Sequence, residues 1–327
     1  MKAEQADLGR VAVPPSRDPR AISEPWIPQL RDAVPTVWLN LVCLDAPVVA
    51  VAWLWFFART FHVPLRIGNV VALFLTAWLI YLGDRFADAI SLKSDVPRSL
   101  RQEFCLRHRE SWITTVALVA GFDAYVIWRT TAWETFLVGV AVGILALIYL
   151  VANHPLGLIW RSLPAKELAI GTLFTAGTAV ALLPQFPTAP AFAIALLVFA
   201  ALCSLNCVSI ASWERELDWA QRKVSVATRH PGVTRLVGKA CLALGLAAVP
   251  LAIFLPTAAP LFVCISVSAL LLMRLDASRD IKEGRFTNRP RSRNRGINRR
   301  SLGADERTAL ADLVLLTPVF VLIVAML

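Results

Sequence analysis

Apolar residues do not alternate with polar ones along this chain; they come in long runs. Nine stretches of roughly 20 residues are almost free of charge, the length a helix needs to cross hydrocarbon. They cover 36–57, 68–90, 111–131, 134–152, 167–186, 190–212, 236–255, 259–276 and 309–327. A membrane barrel would show shorter segments with a two-residue period, which is absent here. Pro184, Pro187 and Pro190 separate the fifth and sixth runs, and Pro256 and Pro260 the seventh and eighth. Proline is tolerated where helices end. The pattern predicts an all-α polytopic membrane protein of about nine transmembrane helices.

Composition agrees. The 327 residues are 57% hydrophobic and only 17% charged, with a mean hydropathy of +0.61. Residues 1–35 are polar and proline-rich and read as a disordered tail before a helical domain spanning 36–327. No short apolar run with a cleavage site follows the start, which argues against a signal peptide. Six cysteines, five of them inside apolar runs, form no C-x-x-C pair. They read as packing residues rather than disulfides or zinc ligands.

The net charge of +10 is laid out unevenly. With the N-terminus inside, the inner segments hold 29 of the 33 lysines and arginines, and the outer loops only Arg59, Arg66 and Arg129. Arg85 lies within a run. Basic residues favour the cytoplasmic side, so the N-terminus is expected there, in an integral protein of the cytoplasmic or inner membrane. The basic loop 277–308, between the eighth and ninth runs, suits an anionic lipid surface. The bilayer is thus the expected partner, and nucleic acid is not.

Acids at the edge of an apolar run are costly and mark function. Asp84-Arg85-Phe86-Ala87-Asp88 ends the second run, and Glu214-Arg215-Glu216-Leu217-Asp218 follows the sixth. Residues four apart share a helix face. Asp84 with Asp88, and Glu214 with Asp218, each present two carboxylates side by side, which repel unless a cation joins them. Facing each other, the two pairs would suit Mg²⁺, which binds one or two carboxylates plus water and phosphate oxygens. A diphosphate is the natural bridging ligand. Lys166, at the inner start of the fifth run, and Lys223, five residues after Asp218, could also hold it. Arg107 and Arg109 follow the first acid cluster and could do the same. Read as ordinary solvated helix ends, Arg85 and Arg215 would simply pair with their neighbouring acids. Asp45 and Asn206 lie inside runs and point to the cavity lining. The four histidines lack metal-ligand spacing.

On these motifs the chain resembles the UbiA superfamily of intramembrane prenyltransferases. That family has nine transmembrane helices bundled around a central cavity, the fold the resemblance implies here, and acidic motifs at the cytoplasmic ends of helices 2 and 6. Its Asn-Asp-x-x-Asp-Arg-x-x-Asp motif is similar to Ile80-Tyr81-Leu82-Gly83-Asp84-Arg85-Phe86-Ala87-Asp88. The leading Asn-Asp is replaced here. Its second motif, with a following lysine, looks like Glu214 to Asp218 and Lys223. Lys166 with Gly171 and Gly177, and Asp45-Ala46-Pro47, resemble two further family segments. The family's arginine before that last segment is Cys43 here.

The resemblance implies a Mg²⁺-dependent prenyltransferase with its active site toward the cytoplasm. Asp84, Asp88, Glu214 and Asp218 would hold the metal, with Lys166 beside them in catalysis. Arg85, Arg215, Lys223, Tyr81, Tyr149, Asn206 and Asp45 would line the substrate site. The partners implied are an isoprenyl diphosphate and an aromatic or lipid acceptor that no residue identifies. Two other readings stay open. One is a terpene cyclase of the same type that uses no acceptor. The other is a non-enzymatic protein that binds or carries a lipid diphosphate.

Overall fold

A computed structural model describes residues 35–93, 96–153, 166–185, 190–283 and 304–324. The expected tail 1–35 lies almost wholly outside them, as does most of the basic loop. Every long element is a helix. In order they are α1 (Pro35–Leu41), α2 (Asp45–Thr60), α3 (Ile67–Ile90), α4 (Leu100–Arg107), α5 (Arg109–Thr130), α6 (Trp133–Asn153) and α7 (Lys166–Ala179). There follow α8 (Pro190–Trp213), α9 (Arg215–Ala220), α10 (Val226–Arg229), α11 (Val237–Phe254), α12 (Ala259–Glu283), α13 (Ala304–Val314) and α14 (Thr317–Val324).

Six of these, α3, α5, α6, α8, α11 and α12, are long and apolar enough to cross a bilayer. Their outward faces fit that solvent. Trp128 is 85% exposed, Ile253 71% and Phe254 79%. Soluble monomers rarely present apolar surface on this scale.

The other three apolar runs do not form single long helices. Run 36–57 breaks at Cys43, whose φ of 59° takes the chain through the left-handed region between α1 and α2. Run 167–186 is helical only to Ala179 and then tightens into a short 3₁₀ turn. Run 309–327 is split between α13 and α14 by a turn at Leu315 and Leu316. Hydropathy does not reveal the breaks at Cys43 and Leu315, where the residues are as apolar as their neighbours, whereas Pro184 and Gln185 mark the end of the run 167–186.

A core of large side chains fixes the bundle. Trp53, Phe57, Phe192, Phe199, Phe262 and Ile265 are fully buried between α2, α8 and α12. Trp53 stacks on Phe199 at 4.3 Å and donates its indole N–H to the Leu315 carbonyl at 2.8 Å. The break before α14 thus supplies an acceptor for a buried tryptophan. Helix α13 packs against α1, α2, α8 and α12, which brings the far C-terminal region into the middle of the bundle.

Helices α7 and α8 make an unusually close approach. A Cβ added at Gly171 would collide with the Ser204 backbone and hydroxyl. Glycine here sets the helix separation. Gly171→Ala is therefore expected to destabilise by about 2 kcal/mol through overpacking, against the ~1 kcal/mol that alanine normally adds to a helix. Thermal melts in detergent read the sign. A stabilised variant would refute the close approach.

Candidate functional site

One cavity of about 530 Å³ runs among α2, α3, α6, α7 and α8, with α13 reaching its wall. At one end it is lined by Asp84, Asp88, Glu214 and Asp218, together with Arg85, Lys166 and Lys223. Tyr81, Tyr149 and Asn206 line it as well. Arg215 is not among the lining residues; it is half-buried at the start of α9. Asp45 does not line the cavity either, although the adjacent Ala46 does. Its buried carboxylate accepts from Asn40 Nδ2 at 2.6 Å and from the Ala46 N–H at 3.0 Å. Trp78 is committed to packing, its indole donating to the Val42 carbonyl at 3.0 Å. Arg107 and Arg109 do not line the cavity.

Local structure positions each acid pair. Asp84 and Asp88 sit one turn apart on the last part of α3, which runs unbroken to Ile90. Glu214 is the residue at which α8 gives way to α9, and the Asp218 N–H still donates to the Glu214 carbonyl at 2.9 Å. The four-residue spacing therefore survives the change of helix. Helix α9 ends in a tight turn with Arg222 in the left-handed region, φ 57°. There the Arg222 N–H donates to Trp219 at 3.1 Å and the Lys223 N–H to Asp218 at 2.8 Å, the double bond pattern of a Schellman cap. This cap turns Lys223 back toward α3.

Basic side chains from α4 and from the turn after α9 neutralise one acid of each pair. Lys223 makes an ion pair with Asp88. Arg101, from α4, makes one with Glu214, and the Thr308 hydroxyl donates to the other Glu214 oxygen at 3.0 Å. Between the pairs the Gln221 amide donates to Gln102 Oε1 at 2.8 Å and to the Pro97 carbonyl at 2.7 Å. Arg85 donates to the Tyr81 hydroxyl at 2.6 Å and lies 4.8 Å above its ring. It pairs with an aromatic one turn away rather than across the cavity.

The electrostatics leave one acid under strain. Burial, and then the neighbouring Glu214 charge, push the Asp218 carboxyl up to about 6. A raised carboxyl means the fold binds its proton more tightly than the unfolded chain does. Its stability contribution is full below about pH 4 and is lost as pH rises to about 6. At neutral pH a cation beside Asp218 would recover that loss.

No three His, Cys, Asp or Glu side chains among the described residues converge to hold a metal alone. The donor set nevertheless fits Mg²⁺ shared with a phosphate ligand. Such a site needs only one or two carboxylates, the remaining oxygens coming from ligand and water.

Several lining residues were not anticipated. Arg101 and Gln102 lie in a segment that reads as a basic loop, yet Ser99 and Gln102 form a reciprocal cap that starts α4. The Ser-x-x-Gln spacing was the available signal. Glu167 is buried, with one oxygen accepting from the Val226 N–H at 2.9 Å. Asp312, on α13, is buried and accepts from Asn206 Nδ2 at 2.8 Å. An isolated acid in the last apolar run carries no spacing to mark it. All six cysteines are free, as packing residues would be. In comparisons with protein-family models, curated proteins and solved structures, no match to this chain was found.

Proposed function

We propose that this chain is a Mg²⁺-dependent intramembrane prenyltransferase of the UbiA kind. It would ionise an isoprenyl diphosphate and pass the prenyl group to an aromatic or lipid acceptor. The observation that supports this is a single cavity with two chemistries. One end gathers four carboxylates with Lys166, Lys223 and Arg101, while its walls are largely apolar, with residues such as Val49, Leu73, Val140 and Phe174.

In this reading the three broken apolar runs complete a nine-span bundle. The uneven basic charge puts the N-terminus and the cavity mouth on the cytoplasmic side.

One or two at a time of Asp84, Asp88, Glu214 and Asp218 would hold Mg²⁺ together with ligand oxygens and water, and the metal would supply charge stabilisation to a departing diphosphate. Lys166, Lys223 and Arg101 serve the same anion through charge-assisted hydrogen bonds. Lys223 and Arg101 already neutralise Asp88 and Glu214, so an arriving diphosphate exchanges partners with them rather than meeting bare carboxylates. As negative charge builds on the leaving group, these fixed cations stabilise it more than they stabilise the intact substrate. The apolar walls exclude water from the allylic cation, and the ring of Tyr149 offers it a π-face.

Products from a panel of prenyl diphosphates, analysed by mass spectrometry with and without aromatic and lipid acceptors, test the proposal. A prenylated acceptor supports it. A cyclic hydrocarbon formed without acceptor makes the protein a terpene cyclase instead. Binding with no diphosphate release makes it a carrier, and no binding removes all three readings.

A further inference from the structure

Every turn of α3 from Asn69 to Asp88 contributes to the cavity wall. From Asp84 to Asn69 that wall is about 22 Å long, at the α-helical rise per residue. The end away from the acids is lined by Asn69, Thr131 and Thr135. The cavity therefore extends far beyond the volume a diphosphate needs.

Two glycines stand along it, beyond its middle. Gly143 on α6 and Gly177 on α7 both line the cavity, and a Cβ added at either would meet no heavy atom within 4 Å. They lie at one level. The two helices run antiparallel, with Tyr149 near Glu167 toward the acid end and Gly139 against Val180 farther along. By that register Gly143 and Gly177 fall within a turn of each other. Their level is about 16 Å of helix from Lys166.

Neither glycine has a packing reason to be there, unlike Gly171, which is pressed against Ser204. Glycine inside a helix is otherwise unfavourable. What the pair provides is open space along the cavity wall, about 16 Å from its acid end. Beyond it the wall carries small residues such as Ala72 and Ala181 together with larger ones such as Ile127 and Phe136.

We infer that the cavity takes a long isoprenoid tail, of about 20 carbons for the 22 Å available, and that Gly143 and Gly177 permit this length by leaving open the passage to its far end. The inference rests on the reading that the acid-lined end holds a prenyl diphosphate. A side chain at either glycine would act as a plug. Tails that end before it would still fit, and longer tails would not.

The test is calorimetric binding of geranyl, geranylgeranyl and inorganic diphosphate to the purified full chain with Mg²⁺. Geranylgeranyl diphosphate is expected to bind at least about tenfold more tightly than geranyl diphosphate, since each buried methylene adds affinity. Gly143→Leu and Gly177→Leu should each erase that advantage while holding geranyl affinity within about threefold, which also certifies their folding. Gly121→Leu, with equally open surroundings on α5 but outside the cavity wall, should leave the preference intact. If the three ligands bind alike, or the leucine variants keep the preference for the longer tail, the tail inference is wrong while the head-group reading stands. If none of the three binds, the head-group reading fails and this inference with it.

Discussion

Asp84→Asn combined with Asp218→Asn is expected to slow diphosphate release from geranylgeranyl diphosphate by at least about 100-fold, the scale on which removing one preorganised charge-stabilising group acts. The double change takes one carboxylate from each acidic segment, so neither pair survives. Asparagine keeps the size of aspartate and leaves no void. It also relieves the repulsion between Asp218 and Glu214, which offsets the lost attraction between Asp84 and the buried Arg85, so the variant should melt close to the unchanged protein. Loss of turnover with retained stability separates chemistry from folding. Release within about threefold of the unchanged protein would mean that these carboxylates take no part in ionisation.

The second large effect concerns stability. Arg101 and Glu214 have side chains only 10% and 11% exposed. Removing one partner of so enclosed an ion pair strands the other charge. Arg101→Ala is thus expected to cost about 3 kcal/mol. Adding Glu214→Gln should recover most of it, because the stranded charge is then gone and Thr308 can still donate to the amide oxygen. A thermal-melt double-mutant cycle in detergent measures the coupling. If Arg101→Ala melts with the unchanged protein, the contact holds nothing together. The same substitution should weaken diphosphate binding even when Glu214→Gln restores stability, since the proposed anion partner is still missing.

Much of the helical layout is legible in the runs of apolar residues, because long uncharged segments have few other ways to satisfy their backbone in lipid. Helices α3, α5, α6, α8, α11 and α12 begin and end close to where hydropathy puts them. Two of the interruptions are not legible in hydropathy. Cys43 adopts a left-handed conformation although it is not glycine, and the turn at Leu315 sits among leucines and valines.

The acid clusters announce themselves because carboxylates four apart at the edge of an apolar run need a reason. Their partners are quieter. Arg101 and Gln102 act across more than 110 residues of sequence, on Glu214 and Gln221. No local spacing links such positions; only the fold brings them together. Asp312 is hidden for the same reason, its partner Asn206 lying on a different helix.

The central claim is that the acid-lined end of this cavity binds a prenyl diphosphate through Mg²⁺. The most direct test is titration of the purified protein with geranylgeranyl thiolodiphosphate, which does not ionise readily, with and without Mg²⁺. The account predicts saturable binding to one site that requires Mg²⁺ and is displaced by inorganic diphosphate. Binding indifferent to Mg²⁺, or no binding in its presence, would contradict it.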